Sequence, residues 1–129
     1  MSRLTNTLVV VLFAVFSSSA MGATAVECAI QYEAAIDLFL AEGGNFNEVS
    51  CSNRYGNSQL RVSTDGGRPS LDVFALGKTN GKSSIPGQCV INLVDTDGFF
   101  IIQERRTLDS DAEFRAWKEF VRGSCRDLL

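Results

Sequence analysis

The chain has 129 residues, 45% of them apolar, with 12 basic and 15 acidic side chains and no histidine. That is enough for one domain, and it is too apolar and too weakly charged to be disordered. The lack of histidine excludes imidazole-based triads, histidine metal sites and imidazole pH switches, and the lack of a basic excess argues against nucleic acid as a main partner.

The apolar residues are unevenly spread. Residues 1–25 hold 15 of them, no acid and one base, Arg3. Leu8 to Phe16 is an unbroken run of nine apolar residues, followed by Ser17, Ser18, Ser19 and Ala20. A short positive start, an apolar stretch and small residues are the layout of a secretory leader. Ala23-Thr24-Ala25 fits the small-x-small cleavage pattern, with Ala20-Met21-Gly22 as second choice. The apolar run is less than half of the ~20 residues a spanning helix needs, and Glu27 stands before Cys28 where a lipid-attachment motif needs a small residue. The expected organisation is a signal peptide over 1–25 and a single exported α+β domain over 26–129, periplasmic or secreted, with no membrane span after signal cleavage. That domain carries 11 basic and 15 acidic residues, a net charge of −4.

Residues 26–42 predict a helix. Cys28, Tyr32, Ala35, Ile36, Phe39 and Leu40 fall on one arc at 100° per residue, with Ile30 and Leu38 off it, and Gly43-Gly44 ends it. From residue 46 the period changes to two. Val49 and Cys51, then Leu60 and Val62, alternate with polar residues. Asn53 to Asn57 predicts the first turn and Asp65-Gly66-Gly67-Arg68-Pro69 the second. Leu71 to Leu76 is a third strand. Residues 88–94 and 99–105 form the strongest pair, joined by the turn Asp95-Thr96-Asp97-Gly98. Phe99-Phe100-Ile101-Ile102 is apolar on both sides, so this strand is either central or a docking edge. Ser110-Asp111-Ala112-Glu113 carries the Ser-x-x-Glu capping box of a last helix with the stripe Phe114, Trp117, Phe120 and Val121, and Gly123 is its expected stop. The fold class is therefore α+β: an N-terminal helix, a five-stranded antiparallel meander and a C-terminal helix. This order resembles that of cystatin-like and other small exported inhibitor folds, a likeness of architecture alone.

Cys28, Cys51, Cys89 and Cys125, an even number in a small exported domain, predict two disulfides. Their wide scatter and the absence of a CxxC pair argue against zinc and against a thioredoxin-type site. Matching helix rise against strand rise brings Cys28 and Cys51 to one level and favours Cys28–Cys51 with Cys89–Cys125. The rival pairing is Cys28–Cys125 with Cys51–Cys89.

Gly77 to Ser83 has one residue too few between its glycines for a phosphate loop. It reads as a polar connection of about eleven residues between the third and fourth strands, bearing Lys78 and Lys82 and no acid. Residues 27–48 hold five acids and no base, while residues 54–82 hold Arg54, Arg61, Arg68, Lys78 and Lys82 against two acids. Tyr55 lies between polar groups in the first turn, where it either caps the end of the core or stands exposed, and exposed Tyr and Arg are frequent interface anchors. Asp95 and Asp97 read as turn formers. No metal site, cofactor motif or catalytic constellation is expected. The sequence points to a non-enzymatic binding protein, of inhibitor or immunity type, whose partner is another exported or envelope protein. Arg54, Tyr55, Lys78 and Lys82 are its candidate contact residues. The alternatives are a small exported carboxylate-based hydrolase and a subunit of a cell-envelope assembly docking through Phe99 to Ile102.

Overall fold

The structure, a computed structural model, describes residues 22–79 and 82–129, with the side chains of 78–85 outside that description. The leader expected over 1–25 thus falls outside the described residues except for its last four. Helix α1 (Ala25–Ala41) precedes strands β1 (Glu48–Arg54), β2 (Asn57–Ser63), β3 (Ser70–Thr79), β4 (Lys82–Val94) and β5 (Phe100–Thr107), and helix α2 (Asp111–Leu128) follows them. The strands form one antiparallel sheet in the order β1-β2-β3-β4-β5. The α+β class and the meander are as the sequence predicts.

Both helices lie on one face of the sheet. The register aligns Cys51 with Leu60, Leu60 with Val73 and Val73 with Ile91, so the alternate residues Leu60, Val62, Leu71, Val73, Ala75, Cys89, Ile91 and Leu93 form a buried floor. Helix α1 packs on β3, β4 and α2, and α2 crosses obliquely from β4 to β1. Trp117, fully buried, donates its indole N–H to the Phe74 carbonyl at 3.0 Å and stacks on Phe120, which meets Tyr32 of α1 edge-on. Glycine is required where α2 comes closest: a Cβ on Gly87 would lie 2.6 Å from the Phe114 side chain, and one on Gly77 would lie 2.9 Å from it.

Several expectations are corrected. The connection between the third and fourth strands is not a loop. Lys78 pairs with Ser83 and Thr79 with Lys82, so β3 and β4 run on as a long hairpin past a register shift between Leu76 and Lys78. Gly123 does not stop the last helix, which continues to Leu128. An internal glycine costs about 1 kcal/mol, and this is offset because the extra turn buries Cys125 and packs Leu128 on the core. Leu40, expected on the buried arc of α1, is exposed. The strand starting at Phe99 is not central: β5 is an edge, and of its apolar start only Ile102 packs on the core.

The disulfides are Cys28–Cys89 and Cys51–Cys125, neither of the pairings weighed from the sequence. Height along the strands does not decide the pairing, because position across the sheet separates Cys28 from Cys51. Helix α1 lies over β4, three strands from β1, a lateral distance of about 14 Å at the usual strand spacing. Cys28 therefore meets Cys89, and the oblique path of α2 carries Cys125 over Cys51. The Cys28–Cys89 pair is sealed, at 0% and 1% exposure, whereas Cys51 lies on an exposed edge strand. Mild thiol treatment followed by alkylation and peptide mass mapping should label Cys51 and Cys125 before Cys28 and Cys89. Replacing both Cys28 and Cys89 by alanine should cost about 2–5 kcal/mol in denaturant unfolding.

Candidate functional site

The sheet register brings two hairpin tips to one end of the molecule. Arg54 pairs with Asn57, leaving Tyr55-Gly56 as a two-residue turn between β1 and β2. Both turn residues have positive φ, 53° at Tyr55 and 82° at Gly56, the handedness that lets a hairpin turn follow the twist of its strands. Gly56 adopts this freely. Tyr55 does so against the preference of a bulky side chain, a strain of about 1–3 kcal/mol. Its ring is not packed as a plug on the core: the residue is 55% exposed, and Arg54 beside it is exposed too.

The second tip belongs to β3 and β4. The Gly77 N–H donates to Asn57 Oδ1 at 2.9 Å, which ties the root of this hairpin to the β2 end of the Tyr55 turn. Ser58 Oγ donates to Asn53 Oδ1 at 2.5 Å across the first hairpin. The backbones of Lys78 and Lys82 lie beyond Gly77, on the stretch that projects past this root. The sequence-predicted residues Arg54, Tyr55, Lys78 and Lys82 therefore share one end of the sheet, although 28 positions separate the first from the last. The other two bases of that stretch do not join them. Arg61 is ion-paired with Asp72 at 2.9 Å on the uncovered face, and the Arg68 guanidinium lies over Gly98 at the opposite end.

The opposite end and the β5 edge carry a different surface, which the sequence flagged only as one branch of a choice. Phe99, Phe100 and Ile101 are 70%, 55% and 38% exposed. The turn behind them is closed by hydrogen bonds. Asp95 Oδ1 accepts from the Asp97 and Phe99 N–H groups at 2.9 Å each, so this carboxylate is a turn former as expected.

The surface of the described residues carries open depressions, three of which are lined as follows. One, of about 220 Å³, lies at the exposed disulfide between Cys51, Gln59, Arg122 and Cys125. A second, of about 360 Å³, is a polar shelf beside β1. The third, of about 240 Å³, runs between the helices past Tyr32, Glu33, Asp37 and Leu128. Glu33 and Asp37 stand one turn apart on α1, on the same wall, whereas glycoside hydrolysis needs carboxylates on two sides of the bond. Among the described residues no group of three or more Cys, Asp and Glu side chains is placed to hold a metal, and no helix is long and apolar enough to cross a membrane.

Compared with known proteins, the chain matches no family model, no curated protein and no solved structure. The likeness to cystatin-like folds accordingly rests on element order alone.

Two measurements follow from this geometry. Tyr55→Asn creates Asn-Gly, the favoured pair for such a turn, and should raise stability by about 1 kcal/mol in denaturant melts. Burial pushes the Tyr32 phenol above its ordinary value, opposed by a hydrogen bond with Ser124 and reinforced by the charges of Glu33 and Asp127. Below about pH 10 the stability that neutral Tyr32 contributes is complete, and it is lost as the pH rises through the raised folded value. Unfolding midpoints at about pH 9 and about pH 11 should differ less for Tyr32→Phe than for the wild type.

Proposed function

We propose that this is a small exported, disulfide-stabilised, non-enzymatic binding protein of the periplasm or extracellular space. It acts as an inhibitor or immunity-type protein, and the paired hairpin tips are the end that engages another exported or envelope protein. Two disulfides fit an oxidising compartment. The observation that carries the reading is Tyr55, an exposed aromatic held in a left-handed turn where Asn or Gly would be less strained. Retained strain at an exposed position points to a role outside the fold. Arg54 flanks the ring, and Lys78 and Lys82 add positive charge from the neighbouring tip, an arrangement suited to an acidic rim on the partner.

A second reading, a subunit of an envelope assembly, is favoured by the exposed Phe99, Phe100 and Ile101 beside an edge strand. Mass measured by light scattering across a concentration series separates the two. A monomer at all concentrations supports the inhibitor reading over self-assembly through β5.

The decisive experiment captures partners of the mature, oxidised protein from its own envelope and secreted fractions, then compares variants on the captured partner. Tyr55→Asn and the double reversal Lys78→Glu with Lys82→Glu should each weaken binding by about tenfold or more, with melting temperature unchanged or raised for Tyr55→Asn. Unchanged affinity in both variants would remove the hairpin tips from the interface.

A further inference from the structure

Several bonds near the end of the leader satisfy the small-x-small rule, among them those after Ala20, Gly22 and Ala25. The leader pattern does not separate them. The fold does, because the residues around the third bond are part of the domain.

Ala23 is 5% exposed and belongs to the core. It forms a parallel bridge with Leu108 at the end of β5. Its N–H donates to the Thr107 carbonyl at 2.8 Å, and its carbonyl accepts from the Asp109 N–H at 2.9 Å. Thr24 is the N-cap of α1, with a complete capping box: the Glu27 N–H donates to Thr24 Oγ1 at 3.1 Å, and the Thr24 N–H donates to Glu27 Oε1 at 2.9 Å. The Ala25 N–H donates to Glu113 Oε1 at 2.7 Å, joining the starts of the two helices. A chain beginning at Val26 would lose all of this. The Thr107 carbonyl and Asp109 N–H would lose their partner, and α1 would start uncapped.

Accessibility points the same way. The bond after Ala25 lies in the first turn of α1, and a peptidase needs an extended segment. Gly22, by contrast, lies outside the helix, and its N–H donates to Asp109 Oδ1 at 3.2 Å in an exposed hydrogen bond.

Resting on the export reading above, we infer that signal peptidase cuts the Gly22–Ala23 bond and leaves Ala23 as the mature N-terminus, docked on the end of β5. Water is consumed across that peptide bond. Gly22 leaves as the carboxylate end of the leader, and the Ala23 nitrogen becomes an ammonium. This group keeps its donor to the Thr107 carbonyl. Its added charge stands beside the Asp109 carboxylate, which before the cut accepts from the residue immediately upstream. The mature protein is then residues 23–129, and the Ala23-Thr24-Ala25 segment serves the fold rather than the peptidase.

The test is the intact mass of the exported protein after expression of the full chain in a bacterium with a general secretion pathway. A species of 107 residues starting at Ala23 is expected. A mature protein starting at Val26 or at Met21 overturns the assignment. Full-length chain retained in the cell overturns the export reading itself, and the two failures are therefore distinct. Two variants of the full chain sharpen the result. Gly22→Leu should block or displace processing, because the residue before the cut must be small. Ala25→Leu should leave the N-terminus at Ala23. The reverse pattern, with processing lost in Ala25→Leu and unchanged in Gly22→Leu, would place the cut after Ala25.

Discussion

Two helices must cover one apolar face of a five-stranded sheet, and most features of this protein follow from how they do it. Five strands span about 19 Å at the usual spacing, close to the combined width of two side-by-side helices of about 10 Å each. The helices do not lie side by side along the strands. Helix α2 crosses obliquely from β4 to β1, with Trp117 anchored to the Phe74 carbonyl at the centre and Phe114 seated on Gly77 and Gly87 at its start. Helix α1 fills the remaining space over β3 and β4. The start of β5 lies outside the area the helices cover, and the exposed Phe99, Phe100 and Ile101 are the consequence.

The disulfides reinforce this crossing. Each ties a helix to a strand, Cys28 of α1 to Cys89 of β4 and Cys125 of α2 to Cys51 of β1, across sequence separations of 61 and 74 residues. Together they hold both helices against the sheet from opposite flanks. The start of α2 is joined to the start of α1 by a different device. Ser110 accepts from the Glu113 N–H as an N-cap should, but the Glu113 carboxylate reaches Ala25 of α1 instead of completing a local capping box. A residue pattern that usually closes a helix start on itself is used here to fasten two helix starts together.

The candidate site depends on the sheet more than on the helices. Arg54 and Tyr55 come together with Lys78 and Lys82 because β2 and β3 pair in a register that sets Asn57 beside Gly77. That register comes from the inward alternation of Leu60 and Val62 against Leu71 and Val73, since a slip by one residue would turn the buried row outward. The hairpin tips are thus positioned by the core, while Arg54 and Tyr55 stay exposed. Tyr55 shows the separation of roles most clearly: nothing in the fold requires an aromatic there, and the left-handed backbone disfavours one.

The amino-acid pattern by itself determined the element types and their order, because periods of 3.6 and 2 are written locally, as in Cys28, Tyr32, Ala35 and Phe39 against Leu60 and Val62. It also marked Tyr55 and the four cysteines as residues to watch. Around Thr24-Ala25-Val26-Glu27 the small residues of a cleavage motif overlap a capping box, and Gly123 reads locally as a stop because the benefit of continuing the helix lies in a distant disulfide. Only the tertiary structure decided which cysteines pair, that β5 is an edge, and that the two hairpin tips share one end. These are matters of lateral position across the sheet. Local periodicity encodes which face a residue takes but not which strand lies under which helix, and that was settled by how two helices pack over five strands.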